Sequence, residues 1–215
     1  MENYRLKRTE EQFALRQRLA HSISLWHALH HDCKPLFTSK DRAYNRFRSL
    51  AAKLPPVYFT LHENACGAAL LIPGTPVSSG PLRDIVYRLG EAGGSPALLT
   101  DLTDDDFGRE ATILLVALRQ RVVNNIPRLE TEVREVEAGE FSVSGDGLAL
   151  AGDAYADTER GWALVRMSRS YSVSAQRFNV RCSTQTVVTQ CTLYRQYQTD
   201  EALVAAADSY GGLTG

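Results

Sequence analysis

The sequence predicts an α+β protein, in which N-terminal helices and a β-hairpin pack around a buried helix and a C-terminal antiparallel sheet follows. Apolar residues recur at the helical period of 3.6 residues through much of residues 10–124. From Glu140 onward, polar and apolar residues alternate, and β-branched and aromatic residues are frequent. Prolines and glycines separate these stretches, as expected at the ends of helices and strands.

Two helices are predicted at the start of the chain. Thr9 to Gln12 has the pattern of a capping box, which predicts a helix from there to about His31. Ser39 is the expected cap of a second helix, which ends before Pro55 because proline cannot continue it. Each helix carries an apolar stripe, so each is expected to dock on the core by one face.

A hairpin and two further helices are predicted next. The hairpin pairs residues 57–62 with 67–72, and Pro81 begins a short helix that ends at the glycines of residues 90–94. Thr103, followed by three aspartates, is the expected cap of a helix that reaches Asn124. Because its apolar residues lie almost all round, this helix is the one expected to be buried.

The pattern changes after Pro127. Residues 129–138 fit either a charged helix or an alternating strand, and both interpretations stay open. The change favours two parts, a mainly helical one with a β-hairpin at 1–126 and a mainly β one at 127–215, although a single domain fits equally well. Strands are predicted at 141–144, 148–151, 162–173, 177–182 and 186–197, before a last short helix at 199–207.

Composition excludes several classes of protein. The longest strongly apolar run, residues 113–118, is far shorter than the ~18 residues of a membrane span. The N-terminus lacks the apolar core of a signal peptide, and four cysteines in 215 residues are too few for a disulfide framework. We therefore expect a protein with reduced thiols, located in the cytoplasm or within a particle assembled inside the cell.

A histidine cluster is the first candidate site. His27 and His31 lie four residues apart on the first helix, a spacing that lets two imidazoles reach one metal ion. Cys33, His62 and Cys66 would complete a zinc site if the hairpin packs against the end of the helix. The alternative is that the histidines are polar surface residues that interact favourably with the C-terminal end of the helix dipole.

The second helix is the next candidate, because cations and an aromatic ring on one helix suit contacts with nucleic-acid phosphates and bases. A solvated helix face has the same composition, so this interpretation stays an alternative. The basic residues of helix 39–54 are Lys40, Arg42, Arg46, Arg48 and Lys53.

The C-terminal sheet offers a third candidate, a surface for other protein subunits. Phe178, Val180 and Cys182 are predicted to form an inner row, while the residues between them point the other way. Residues 127–159 carry nine acidic against two basic residues, and residues 160–215 carry six basic against three acidic ones. Neighbouring copies would pair these charges head to tail. The candidate interface arginines are Arg166, Arg169, Arg177, Arg181 and Arg195.

The sequence has no nucleophile elbow, phosphate loop, dinucleotide fingerprint or His-Glu-x-x-His pair. We therefore interpret the chain as a non-enzymatic structural or assembly subunit that acts through protein-protein contacts in a homo-oligomer or larger complex, with a phage-type virion as one setting. Nucleic-acid binding by helix 39–54 is the first alternative. A metal-dependent enzyme built on the histidine cluster is the second.

Overall fold

A computed structural model describes residues 10–39, 41–54, 71, 73–108, 111–123, 126–145 and 147–190. Helix α1 (Glu10–Cys33) is followed by a 3-10 turn (Lys34–Leu36) and by helix α2 (Ala43–Ala51). The strands are β1 (Pro76–Ser78), β2 (Tyr87–Ala92), β3 (Ser95–Thr100), β4 (Thr112–Val123), β5 (Ile126–Val136), β6 (Ser142–Ser144), β7 (Gly147–Ala151), β8 (Arg160–Ser172), β9 (Arg177–Cys182), β10 (Gln185–Thr186) and β11 (Val188–Thr189). The fold is therefore mixed, and strands dominate it.

The strands form a central sheet and a second sheet, both antiparallel. The central sheet has the order β11-β8-β4-β5, and β9 pairs with the far end of β8 beside β11. The second sheet has the order β2-β3-β7-β6. A short third pairing joins β1 to β10. Strand β4 lies at the centre, where it pairs with both β5 and β8 over most of its length.

The central sheet is covered on both faces. On one face, which we call the helix face, Leu114, Val116 and Val165 pack against α1 and α2. On the other, the sheet face, Leu115 and Leu164 pack against the second sheet. Successive side chains of a strand point to opposite faces, so this three-layer arrangement requires apolar residues at consecutive positions of β4 and β8.

The N-terminal helices are confirmed, with boundaries close to those predicted. Helix α1 buries Ser22, Leu25, Leu29 and Cys33, which recur at the helical period. Leu19 is 41% exposed, although the sequence predicts it to lie on this stripe. In α2, the fully buried Phe47 anchors the helix, and its ring lies 5.3 Å from that of Trp26 on α1.

The predicted buried helix at residues 103–124 is wrong, because most of this segment is strand β4. Thr103 and Asp106 do form a capping box, in which the Thr103 N–H donates to the Asp106 carboxylate at 2.9 Å. It caps only a 3-10 turn (Asp104–Asp106). A strand buried on both faces is apolar at consecutive positions, and so resembles a helix that is apolar all round.

The helix predicted from Pro81 is also wrong. The chain runs extended into β2, and Gly93 and Gly94 form the turn of the β2–β3 hairpin, with φ of +60° and +82°. Two-residue hairpin turns need positive φ at both positions, which favours glycine. These glycines therefore end strand β2, and not the predicted helix.

The open choice at residues 129–138 resolves as strand β5, and the strands predicted at 141–144, 148–151, 162–173 and 177–182 are confirmed as β6 to β9. The candidate boundary at residues 124–127 falls at the connection between β4 and β5, which pair in one sheet. The hairpin at 57–72, apart from Leu71, the end of the strand at 186–197 and the helix at 199–207 lie outside the described residues. Among the described residues, no helix is long and apolar enough to span a membrane.

Candidate interaction surface

Strands β8 and β9 continue beyond the rest of the central sheet. Strand β4 begins at Thr112, which pairs with Met167, whereas β8 runs on to Ser172. Among the described residues, 168–172 therefore pair only with residues 177–181 of β9, with a turn between them. We call residues 168–181 the arm. A two-stranded ribbon of this length reaches roughly 17 Å past the sheet.

The helix face of the arm continues the apolar row of the core. Met167 and Cys182 are buried, and Val180 packs against the helix-face core. Farther out, Tyr171 is 55% exposed and Phe178 is 69% exposed, and their rings meet edge to face at 5.2 Å. The inner row predicted for Phe178, Val180 and Cys182 thus exists, but it leaves the core before it reaches Phe178.

The opposite side of the arm is polar. Arg177, Asn179 and Arg181 are exposed there, opposite serines of β8. One face of the ribbon carries the aromatic pair together with Arg169, and the other is cationic. Neither is covered by described residues, and this composition is that of an interface, where aromatic residues and arginine are enriched.

The base of the arm is held firmly. The backbone N–H of Cys182 donates to the Thr38 hydroxyl at 2.9 Å, and its carbonyl accepts from the Leu82 N–H at 3.1 Å. Burial raises the pKa of the Cys182 thiol to about 11, against smaller lowering effects of Thr38 and Arg169. This thiol is therefore protonated at neutral pH and fixed inside the fold.

A cavity lies beside the arm on the helix face, where the 3-10 turn after α1 ends. It has a volume of about 440 Å³, and Leu36, Leu114, Met167 and Val180 supply its apolar lining. Arg169, exposed on the arm, lies at its rim. The cavity and the aromatic pair of the arm lie on the same face of the same strands, so together they form a partly apolar surface.

No protein-family model matches this sequence, and no curated protein matches it.

The predicted interface arginines divide into two environments. Arg169, Arg177 and Arg181 are exposed on the arm, and Arg195 lies outside the described residues. Arg166 is instead buried, with a side chain 11% exposed and Nη1 2.8 Å from the Asp106 carboxylate. Its contact with Asp106 is internal, so the structure gives Arg166 a role within the fold.

The Arg166–Asp106 pair ties the loop before β4 to strand β8. Burial opposes ionisation of this carboxylate, but hydrogen bonds from the Thr103 N–H and the Arg166 guanidinium outweigh it, so the pKa of Asp106 lies below its ordinary value. Two further guanidinium nitrogens, Nε and Nη2, are buried without a hydrogen-bond partner among described residues. The pair is thus a structural link, whose loss would leave a buried charge.

The basic residues of the second helix do not form one row. Arg42, Arg48 and Lys53 are exposed, whereas Arg46 donates from Nε to the Ser79 hydroxyl at 2.9 Å. The Arg48 guanidinium lies over the Tyr44 ring, 5.8 Å from its centre. Lys40 lies outside the described residues.

The candidate zinc ligands also lie in different environments. His27 and His31 are exposed on α1, whereas Cys33 is fully buried in the helix-face core. Burial, followed by the charge of Asp32, raises the pKa of the Cys33 thiol to about 12, which opposes the thiolate that zinc binds. His62 and Cys66 lie outside the described residues, and among those described no three potential ligands converge.

Sequence reasoning did not identify Tyr171 and Val173 as members of this surface. Both follow the buried part of β8, and Val173 is 80% exposed. Their alternation matches that of a covered strand, so the only signal was indirect. That signal is the length of the strand predicted at 162–173.

Proposed function

We propose that this chain is a non-enzymatic structural or assembly subunit that acts through protein-protein contacts, and that the arm is a contact surface. The observation that carries the proposal is the apolar side of the arm, where Tyr171 and Phe178 are exposed and their rings are in contact. Grouped exposed apolar residues with a polar surround mark interaction sites more often than isolated ones do.

The composition of the arm supports this proposal. Tyrosine, phenylalanine and arginine are enriched where proteins meet. The aromatic side chains bury a large area at a small cost in side-chain entropy. The arm is also preorganised, since Thr38 and Leu82 fix its base. A fixed ribbon loses little conformational entropy on binding, which favours a stable contact.

The setting we propose is a homo-oligomer or a larger complex assembled inside the cell, for which a phage-type virion is one example. Charge segregation supports this part of the proposal, because the acidic segment 127–159 and the basic segment 160–215 suit contacts between copies.

The test is the oligomeric state of the full chain, measured by size-exclusion chromatography with light scattering over a range of protein and salt concentrations. We expect concentration-dependent assembly of the wild type, and its loss in Tyr171→Ser/Phe178→Ser. The matched control is Val86→Ser/Val143→Ser, which changes residues that are 69% and 82% exposed away from the arm. The control is expected to assemble as the wild type does.

A wild-type protein that stays monomeric under all these conditions would contradict the proposal. Assembly that is lost equally in the arm variant and in the control would show that apolar surface in general, and not the arm, causes it.

A further inference from the structure

Among the described residues, the central sheet ends in two unpaired edges, β5 and β9. On β4, the Gln120 N–H donates to Glu159 beside β8, so even-numbered residues of β4 face β8 and odd-numbered ones face β5. The odd-numbered residues pair with Arg128 to Val136 at even positions of β5. The backbone groups of Leu129, Thr131 and Val133 therefore point outward, and no described residue forms a hydrogen bond with them.

Strand β9 provides the opposite edge. The backbone of Cys182 points outward, toward Thr38 and Leu82, whereas the Ser183 N–H donates inward to Arg166 on β8. By the same alternation, the N–H and carbonyl groups of Phe178 and Val180 point outward. No described residue pairs with them, so the arm presents a free ladder of backbone donors and acceptors.

The strand directions of the two edges match. Strand β4 is antiparallel to β5, β8 is antiparallel to β4, and β9 is antiparallel to β8. Strand β9 is therefore antiparallel to β5. If a second copy continues the sheet in the same orientation, the β9 of one copy meets the β5 of the next as an antiparallel pair.

The side chains of the two edges are complementary as well. On the helix face, Phe178 and Val180 of one copy would lie beside Leu129 and Val133 of the next, which already contact the helix-face core. Apolar side chains would then continue across the junction. Cross-strand pairs of this kind stabilise antiparallel sheets.

The sheet face supplies the charges. Arg177 and Arg181 are exposed on β9. Glu130 and Glu132 are exposed on β5, where Arg128 and Arg134 flank them on the same face. In a continued sheet, both sets of charges point to the same face. The cationic edge of β9 repels another copy of itself, which disfavours a symmetric β9–β9 junction, whereas the carboxylates of β5 attract it.

We infer that the partner of the arm is a second copy of this chain, bound by strand addition of β9 to the outer edge of β5. This inference rests on the proposed function and names its partner.

The acidic residues lie near the opposite end of the sheet from the arm, since Glu132 is level with Trp162 and the arm begins after Met167. Successive copies are therefore offset along the strands by about 25 Å, estimated from a rise of ~3.3 Å per residue. Such a junction produces a ring where its rotation closes, or else a filament.

The test exchanges the charges of the two edges. Variant one is Arg177→Glu/Arg181→Glu, and variant two is Glu130→Arg/Glu132→Arg. All four side chains are exposed, so both variants are expected to fold with unchanged circular dichroism. Variant two also loses the exposed Arg121–Glu130 ion pair, so its unfolding midpoint should fall slightly. Arg42→Glu/Lys53→Glu changes two exposed residues near α2 and matches the net charge of variant one.

Light scattering and sedimentation are measured for each protein alone and for an equal mixture of variants one and two at low salt. Each variant alone opposes like charges at every junction, so its dissociation constant should rise about tenfold or more. In the mixture, each edge meets an opposite charge again, so assembly should return with the two variants alternating. The control should assemble as the wild type does.

The outcomes separate this inference from the proposed function. If both variants assemble as well as the wild type, or if the mixture does not recover, the β5–β9 junction is overturned while the arm remains a contact for something else. If variant one alone loses assembly and variant two does not, β9 binds a surface other than β5. A wild type that is always monomeric overturns both proposals.

Discussion

The two ends of strand β8 belong to one continuous strand and lie in opposite environments. In the body of the sheet, residues 161–165 are all buried, because helices cover one face and the second sheet covers the other. In the arm, residues 169–171 are all exposed. The difference shows that the strand pattern specifies which side chains share a face, whereas the neighbouring layers determine which of those faces is buried.

The largest effect on stability is expected from a core substitution in the body of the sheet, compared with a substitution in the arm. Leu164→Ala removes a fully buried side chain at the interface of the two sheets, and should lower the free energy of unfolding by about 2–5 kcal/mol. Val173→Ala, at a position that is 80% exposed, should change it by less than about 0.5 kcal/mol. Urea unfolding followed by tryptophan fluorescence measures both. Similar losses would mean that the arm is covered in solution.

The comparison also explains what the sequence could predict. The inward row of Cys182, Val180 and Phe178 follows from alternation, and the structure confirms the common face. The exposure of Phe178 does not follow, because it depends on where the helix layer ends. That boundary is set by packing of α1 and α2, which lie more than a hundred residues away in the sequence.

Strand β4 illustrates a different limit. Its apolar run from Ile113 to Val116 fits a buried helix and a doubly covered strand equally well, and only pairing with β5 and β8 decides between them. The burial of Arg166 was unpredictable for a similar reason. Its partner, Asp106, lies on another segment, so the candidate interface was only partly recognised from sequence.

The next prediction contrasts a buried ion pair with an exposed one. Asp106→Asn removes the charge that pairs with Arg166, whose side chain is 11% exposed, and should lower the free energy of unfolding by about 1.5–3 kcal/mol. Glu140→Gln at the exposed Arg134–Glu140 pair, 2.8 Å apart, should lower it by less than about 1 kcal/mol. Equal losses in the two variants would show that Arg166 does not depend on this charge.

The same pair predicts a pH dependence. The folded-state pKa of Asp106 is lowered, so its stabilising effect is complete above the unfolded-state pKa of about 3.9 and is lost as the pH falls through the folded value. The difference in unfolding free energy between wild type and Asp106→Asn should therefore be constant at neutral pH and shrink below about pH 4. A difference that grows on acidification would contradict this assignment.

A smaller effect is expected at the point where the body meets the arm. Thr38→Val keeps the shape of the side chain and removes the acceptor for the Cys182 N–H, so it should lower the free energy of unfolding by about 1–2 kcal/mol. Hydrogen exchange should accelerate at the Cys182 amide. The outward amides of Phe178 and Val180 should exchange quickly in both proteins when they are monomeric, because no described residue protects them. Protection of these amides in the monomer would contradict the free edge.

The smallest expected effect tests whether the arm is built for folding or for contact. A double-mutant cycle of Tyr171→Ala and Phe178→Ala should give a coupling of about 0.5 kcal/mol in the unfolding of the monomer, since the rings touch edge to face while each stays largely exposed. The buried pair Tyr155–Trp162, at 4.7 Å, should couple more strongly in the same assay. If the arm is a contact surface, the same two substitutions should weaken assembly far more than they weaken the fold. A large loss of monomer stability with unchanged assembly would instead make the aromatic pair part of the core.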